Sequence, residues 1–464
     1  MLGTCKWTQR LIEPCTLLTV ILLLLLRAGG VRFLKPGEAV DSWAVVNLTR
    51  KKDGECWQFA QSLMRMLRDT GMRVNNDRPA YHVISGPPFQ IPARLPQELR
   101  TVCQKVGKRP QLLVFLVDTS DSTLYQAIKR ECSVGMAQPI ASQVLQAKKA
   151  FDVRGQQQYL ANVALKINIK LGGANHIVDE SDVPAINSKV MLVGADVTHP
   201  PQGSGMPSIA ASVAQLDGPQ GVFSNQITAQ FNPDKGQSQE IILAMDRIFV
   251  EHFRAWRKHH KDRMPESVVL FRDGISEGQF TKAMSAEAAQ IEKAWKQVAE
   301  GEQLKLTYIV CTKRHNVRFF AANPQDISRD NSGNLPAGTV VDRDVVHPVA
   351  FEFYIQSQAG LIGTARPCKY LVLRNDGRFT SDALQRTIYS LCYAYSRATR
   401  SVSLIPVTYY SDVLCEKARA FIYKDTDGAS SVSSGREQRE VQVADEVLRK
   451  LGSLPSFAQA QWYM

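Results

Sequence analysis

The run Gln111-Leu-Leu-Val-Phe-Leu-Val117 contains no polar residue after its first, and that excludes most architectures. A strand that is apolar on both faces must be covered on both faces, as in parallel sheets flanked by helices. Trp43-Ala-Val-Val-Asn-Leu48 reads as a second buried strand. Around these strands, apolar residues recur at helical spacing. Phe59, Leu63, Met66 and Leu67 form one stripe, closed by Gly71, and residues 122–132 form another helix. Leu160, Val163, Ala164, Ile167 and Leu171 form a third, closed by Gly172 and Gly173. Strand alternating with helix predicts an α/β chain built on parallel sheets.

A polar stretch over 179–187, with Pro184 inside it, marks a domain boundary. Beyond it, residues 190–193, 268–271, 306–311 and 370–373 read as strands. Ile241, Ile242, Met245, Ile248, Phe249, Phe253 and Trp256 mark one long amphipathic helix, and 384–395 another. Residues 428–435 are Gly/Ser-rich and read as a surface loop. No repeat of solenoid period is visible.

The formal charge is +12, and residues 101–170 carry half of it, with ten Lys/Arg against four Asp/Glu. Such a basic segment suits a polyanionic partner, although spread surface charge for solubility would read much the same. Nine cysteines, an odd number, are far apart and include no Cys-x-x-Cys, so neither a disulfide framework nor a zinc site is expected. A reducing compartment fits. The N-terminus points elsewhere. Lys6 and Arg10 precede an apolar run from Leu17 to Leu26 and then small residues, the pattern of a secretory signal.

Asp196 closes one apolar run and Asp273 another. Both fall at the carboxyl ends of predicted buried strands, where open α/β sheets hold their ligands. Each alone could simply cap the following turn. Together they form a credible Mg²⁺ or Mn²⁺ site, because hard ions take carboxylate oxygens. What chemistry would follow, these two residues leave open.

Longer motifs go further. Gly194-Ala-Asp-Val-Thr-His-Pro-Pro201, Phe271-Arg-Asp-Gly-Ile-Ser-Glu-Gly-Gln-Phe280 and Gly333-Asn-Leu-Pro-Ala-Gly-Thr-Val-Val-Asp342 resemble the PIWI domain of eukaryotic Argonautes. So do Thr399-Arg-Ser-Val-Ser403 and, for the preceding MID domain, Leu165-Lys-Ile-Asn-Ile-Lys-Leu-Gly-Gly173. The resemblance runs from about residue 33 to the C-terminus. It implies a Rossmann-like MID domain over 33–178, a linker over 179–187 and an RNase H-like PIWI domain over 188–464.

The resemblance also implies a catalytic tetrad, matched here by Asp196, Glu240, Asp273 and Asp412. Many animal Argonautes carry histidine at the place of Asp412. Two Mg²⁺ or Mn²⁺ ions would be held by Asp196, Asp273 and Asp412, with Glu240 orienting water. Pattern alone reads Glu240 as an acid at a helix N-terminus, and Lys166 and Lys170 as a solvated basic edge opposite the apolar stripe. By resemblance, Lys166, Lys170, Tyr125, Lys129 and Gln143 would hold a guide strand's 5′ phosphate, with Tyr125 stacking on its first base. Lys417 stands where the family sends an arginine. Lys313, Arg318, His347, Tyr395, Arg397, Ser403 and Tyr409 match the guide-backbone track, whereas His199 and the other histidines read as structural.

The expected function is small-RNA-guided cleavage of a paired target RNA, giving a 5′ phosphate and a 3′ hydroxyl. The alternative is a guide-binding silencing module that does not cut. Implied partners are a 5′-phosphorylated guide RNA, the complementary target and proteins of a silencing complex. Family members are about twice this length and place N and PAZ domains before MID. Here residues 1–32 are apolar and unrelated to the family, and the expectation is an incorrect or truncated start, with a membrane-tethered form second. No membrane partner is expected, and the implied location is the cytoplasm or nucleus.

Overall fold

The computed structural model describes residues 10–11, 32–201, 204, 206–217, 221–231, 240–299, 301, 303–330, 332–360, 362–423, 434–453 and 460–464. The apolar run from Leu17 to Leu26 and most of the 428–435 stretch lie outside the described residues. Of the N-terminal extension, β1 (Arg10–Leu11) is described.

The first sheet contains β2 (Trp43–Leu48), β3 (Ala80–Val83), β4 (Leu112–Val117) and β5 (Ala141–Gln146), in the order β3-β2-β4-β5. Every pairing is parallel, as the unbroken apolar runs require. Successive side chains of a strand face opposite ways. Accordingly Leu113, Phe115 and Val117 join Ala44 and Val46 in a core closed by Leu95, Leu99 and Val102 of the helix Ile91–Val106. The helix Gln156–Lys170 is buried nearly all round, which corrects the expectation of a solvated edge: Lys170 is 1% exposed and Lys166 half-buried.

The second sheet has nine strands in the order β1-β11-β12-β13-β10-β9-β6-β7-β8. These are β6 (Val190–Thr198), β7 (Ser208–Gln215), β8 (Phe223–Gln230), β9 (Ser267–Asp273) and β10 (Leu306–Thr312). They are followed by β11 (Thr339–Val341), β12 (Phe351–Gln356) and β13 (Cys368–Asn375). Here the expectation of a parallel sheet holds only at the centre, where β6, β9 and β10 run parallel. Both flanks are antiparallel. The central strands are covered on both faces. Met191, Val193, Val268, Leu270, Tyr308 and Val310 point into one core, with the helices Met245–His259 and Phe280–Val298. Leu192, Val269, Phe271 and Ile309 point into the other, with the helix Ser381–Leu391.

The long helix expected from Ile241 begins instead at Met245. Ile241 and Ile242 are buried but not helical, and the Ile242 N–H donates to the Glu287 carboxylate at 2.9 Å.

Two compact units result. One holds Ile177–Pro201 and Ser208–Cys415, with the nine-stranded sheet; the other holds the four-stranded sheet together with Glu416–Met464. The C-terminal residues therefore group with the first sheet and not, as the linear boundaries had it, with the second. Among the described residues no helix is long and apolar enough to cross a membrane.

Candidate functional site

Strand register assembles the acids. Ala195 of β6 pairs with Arg272 of β9, so Asp196 and Asp273 emerge side by side at the carboxyl ends of parallel strands. Gly274, at φ +83°, turns the chain immediately afterwards, and its N–H donates to Asp273 Oδ1 at 2.8 Å. A Cβ there would stand 3.6 Å from both Asp196 Oδ1 and Glu240 Oε2, which puts both carboxylates beside this turn.

Asp412 arrives on the helix Pro406–Ile422. Backbone proximity brings it in: a Cβ on Gly194 would lie 2.2 Å from the Val407 carbonyl, so only glycine lets this helix lie against β6. Burial, then the charges of Asp273 and Asp412, hold the Asp196 carboxyl well above the usual range. Burial likewise raises Asp273, with Asp412 adding and the Gly274 N–H, Arg272 and Arg314 opposing. Neighbouring carboxylates that raise one another's proton affinity are a charge distribution that a cation would relieve. Among the described residues no three His, Cys, Asp or Glu side chains are gathered at metal-binding geometry.

His199 was read as structural from sequence, yet it touches Glu240. Its Nε2 lies 3.0 Å from Glu240 Oε1, and its Nδ1 lies 2.8 Å from Ser208 Oγ. The available signal was its place three residues after Asp196. Arg272, fully buried, donates to the backbone carbonyls of Glu240 and Asp273.

A second cluster lies in the unit with the four-stranded sheet. Lys129 Nζ donates to the Ser142 carbonyl at 2.6 Å and Ser142 Oγ at 2.9 Å. Lys170 Nζ donates to the same carbonyl at 2.9 Å and to Gln143 Oε1 at 2.7 Å. Two ammonium groups thus share one backbone oxygen. The ring of Tyr125, 44% exposed, lies 5.7 Å from Lys129 Nζ and 5.3 Å from Lys417 Nζ. Lys129, Lys170 and Lys417 are all buried. Burial, with the charge of Lys166 adding to it, lowers the Lys129 pKa to about 8, while Cys132 and Lys417 act the other way. Three buried ammonium groups near an exposed tyrosine ring are chemistry that suits a phosphate group.

Of the residues matched to a guide track, Lys313 donates to Ser403 Oγ and lies 5.8 Å from the Tyr409 ring, which packs 4.8 Å from Tyr395. Arg397 lies near enough to Tyr395 to oppose the rise that burial gives that hydroxyl's pKa. Arg318 and His347 make their contacts elsewhere: Arg318 to the carbonyls of His315 and Val317, and His347 Nδ1 to the N–H groups of Val349 and Ala350.

Comparison with known proteins fits this arrangement. The Piwi domain family model matches residues 112–423. The chain is 37% identical over 395 residues to protein argonaute 18 of Oryza sativa subsp. japonica, covering 83% of this chain and 35% of that protein. With protein argonaute 10 of Arabidopsis thaliana it shares 34% over 444 residues, 90% of this chain and 43% of the relative. The chain thus spans about 40% of the length of such relatives. Among solved structures, Kluyveromyces polysporus Argonaute with a guide RNA superposes with a TM-score of 0.78 at 23% identity, over 93% of this chain and 49% of the other. The C-terminal lobe of a budding yeast Argonaute gives 0.76 at 22% identity, covering 93% and 87%. At these identities the structural likeness carries the fold alone.

Proposed function

The chain belongs to the Argonaute–Piwi family, and from that premise we propose that it is a guide-directed endoribonuclease acting in RNA silencing. The observation that carries this reading is that Asp196 and Asp273 lie side by side at the carboxyl ends of β6 and β9, with Asp412 near enough to raise the proton affinity of both and Glu240 beside the same turn as Asp196. An all-carboxylate set whose members raise each other's proton affinity fits Mg²⁺ or Mn²⁺, held by Asp196, Asp273 and Asp412. Two such ions would supply Lewis-acid activation of water and of the leaving 3′ oxygen. Glu240, held against His199, orients water beside Asp196. The expected products carry a 5′ phosphate and a 3′ hydroxyl.

Substrate selection is delegated to base pairing. The Lys129, Lys166, Lys170 and Lys417 cluster, with Gln143, would hold the guide's 5′ phosphate, and Tyr125 would stack on its first base. Lys313, Ser403, Tyr409, Tyr395 and Arg397 offer ammonium, hydroxyl, aromatic and guanidinium groups suited to a sugar–phosphate backbone, and Arg318 and His347 would extend that track. The proposed partners are a 5′-phosphorylated guide RNA, its complementary target and proteins of a silencing complex, in cytoplasm or nucleus. A guide-binding module that silences without cutting is the alternative.

The test is cleavage of a labelled RNA complementary to a 5′-phosphorylated guide, with Mg²⁺ and with chelator. Asp196→Ala and Asp273→Ala should abolish cutting. Asp412→His should keep some activity, since imidazole can also ligate a divalent ion, whereas Asp412→Ala should keep none. No cleavage by the unmutated chain at any Mg²⁺ or Mn²⁺ concentration would leave the binding module.

A further inference from the structure

Glu287 sits on the helix Phe280–Val298 with 0% exposure, and neither composition nor motif singles it out. Its carboxylate accepts three hydrogen bonds from three different segments. Oε1 takes the Ile242 N–H at 2.9 Å and Arg272 Nε at 3.3 Å, and Oε2 takes the Tyr308 hydroxyl at 2.7 Å. Arg272, equally buried, spends its two terminal nitrogens on the carbonyls of Glu240 and Asp273. One carboxylate therefore ties β9, at the residue before Asp273, to β10 and to the segment 240–242.

We propose that Glu287 is a positioning residue: it fixes the backbone from Glu240 to Ile242, directly and through Arg272, so that the Glu240 carboxylate faces His199 and Asp196. The inference rests on the cleavage reading of this site, and extends it to a side chain that would touch neither RNA nor ion.

The physical case starts from cost. A fully buried Arg–Glu pair loses its hydration and regains it only through complete hydrogen bonding, so burial of such a pair is weak support for stability as its purpose. The bonds observed have a directional content that an apolar contact would lack. Residues 240–242 are not helical and not in a strand, so no ladder holds them; the Ile242 N–H goes to Glu287 and the Glu240 carbonyl to Arg272. The Gln230 side chain adds two further ties, from its Nε2 to the Ile241 carbonyl and from its Oε1 to the Leu243 N–H. These hold the residues after Glu240, while the link to Arg272 is the one that also reaches the end of β9. A carboxylate that must lie within a few tenths of an ångström of its working place needs that kind of support.

Glu287→Gln tests this. The amide can still accept from Ile242 or Tyr308 but leaves Arg272 without its counter-charge. Two measurements decide: hydrogen exchange over residues 240–243, followed in the guide-loaded chain, and single-turnover cleavage. Expected are exchange at Ile242 faster by tenfold or more, cleavage slower by about 10- to 100-fold, and target affinity unchanged. In a Glu240→Gln background the same substitution should slow the residual rate by no more than about twofold, since the carboxylate it positions is gone. Tyr308→Phe, which removes one anchor and leaves the Arg272–Glu287 pair, should show the same changes in smaller measure. It also serves should Glu287→Gln fail to fold. Unchanged exchange at Ile242, or an equal loss of rate with and without the Glu240 carboxylate, overturns the proposal. If the unmutated chain does not cut, the cleavage reading fails by itself, and exchange alone decides whether Glu287 and Tyr308 hold the segment.

Discussion

Lys129 can act as a phosphate ligand only while it carries a proton, and its burial brings deprotonation within reach of ordinary buffers. In the folded chain it titrates near 8, against 10.5 for a free lysine. The sign follows directly. Below about pH 8 the ammonium is present and attracts a phosphate that is a dianion above roughly pH 6. Above pH 8 the proton must be taken up again on binding, and affinity falls, at most about tenfold per pH unit. Preference for a 5′-phosphorylated over a 5′-hydroxyl RNA should therefore shrink between pH 7 and 9. A preference that stays flat to pH 9 would show that Lys129 does not contact the phosphate. His252 behaves oppositely in consequence. It is fully buried, with Nε2 at 2.9 Å from Ser212 Oγ and Nδ1 at 2.9 Å from Ser224 Oγ, and Ser212 donates onward to the Gly194 carbonyl. That chain leaves a neutral ring with the proton on Nε2. Burial lowers its pKa to about 3. The unfolded chain binds a proton near 6.5 that the folded chain refuses, so this residue removes stability as pH falls, by about 1.4 kcal/mol per unit. Asp196 and Asp273, whose pKa values are raised, act in the other sense as they take up protons. The difference between the unmutated chain and His252→Gln isolates the histidine. Between pH 6.5 and 5 the unmutated chain should lose about 2 kcal/mol more in urea titrations; equal losses would mean the ring is protonated in place.

At the scale of elements, the decisive contact is backbone against backbone. Gly194 lies in the middle of β6, where glycine weakens a strand, and it is tolerated because the helix Pro406–Ile422 touches it. Gly194→Ala should destabilise by at least about 1–3 kcal/mol through overpacking. It should also move Asp412 away from Asp196, so cleavage should fall further than stability explains. Full cutting by folded Gly194→Ala protein would show that the helix position is not critical. The same elements show what could be read in advance. Strands apolar on both faces announced themselves, as at 112–117 and 268–271. β7, with Ser-Ile-Ala-Ala-Ser-Val-Ala-Gln, did not, because small residues carry little strand preference and no alternation. β13 is legible at 370–373, but a strand's own residues do not show that it pairs antiparallel. Helix periodicity puts Lys166 and Lys170 on one edge but cannot say that Lys170 is buried, since nothing in the helix itself shows that Ser142 and Gln143 would meet its ammonium. Ile241 and Ile242 fit the period of the following helix, and nothing in that period shows that they precede it, with the Ile242 amide held by Glu287, 45 residues on.

For the whole molecule, the acids proposed to cut and the lysines proposed to hold a guide fall in different compact units, so the two proposed activities can be tested apart. A chain of +12 would attract any RNA electrostatically, with a salt dependence set by phosphate number, so salt slope alone does not identify a specific site. The informative comparison crosses two substitutions with two RNAs at one ionic strength. Lys170→Met removes a buried charge while keeping the apolar stem, and avoids placing a carboxylate against the Ser142 carbonyl and Gln143 Oε1. It should erase a 5′-phosphate preference of tenfold or more, worth about 1.4 kcal/mol, and leave binding of 5′-hydroxyl RNA unchanged. Asp196→Ala should do the reverse, retaining the preference and losing cleavage. Charge reversal at Lys258 and Lys261, at and just beyond the end of the helix Met245–His259, should lower the affinity for both RNAs alike by weakening the general field and leave their ratio intact. If instead the ratio follows net charge, so that the double reversal erodes it as much as Lys170→Met does, the lysine cluster is only part of a basic surface. Guide recognition would then have to be sought away from Tyr125, Lys129, Lys170 and Lys417.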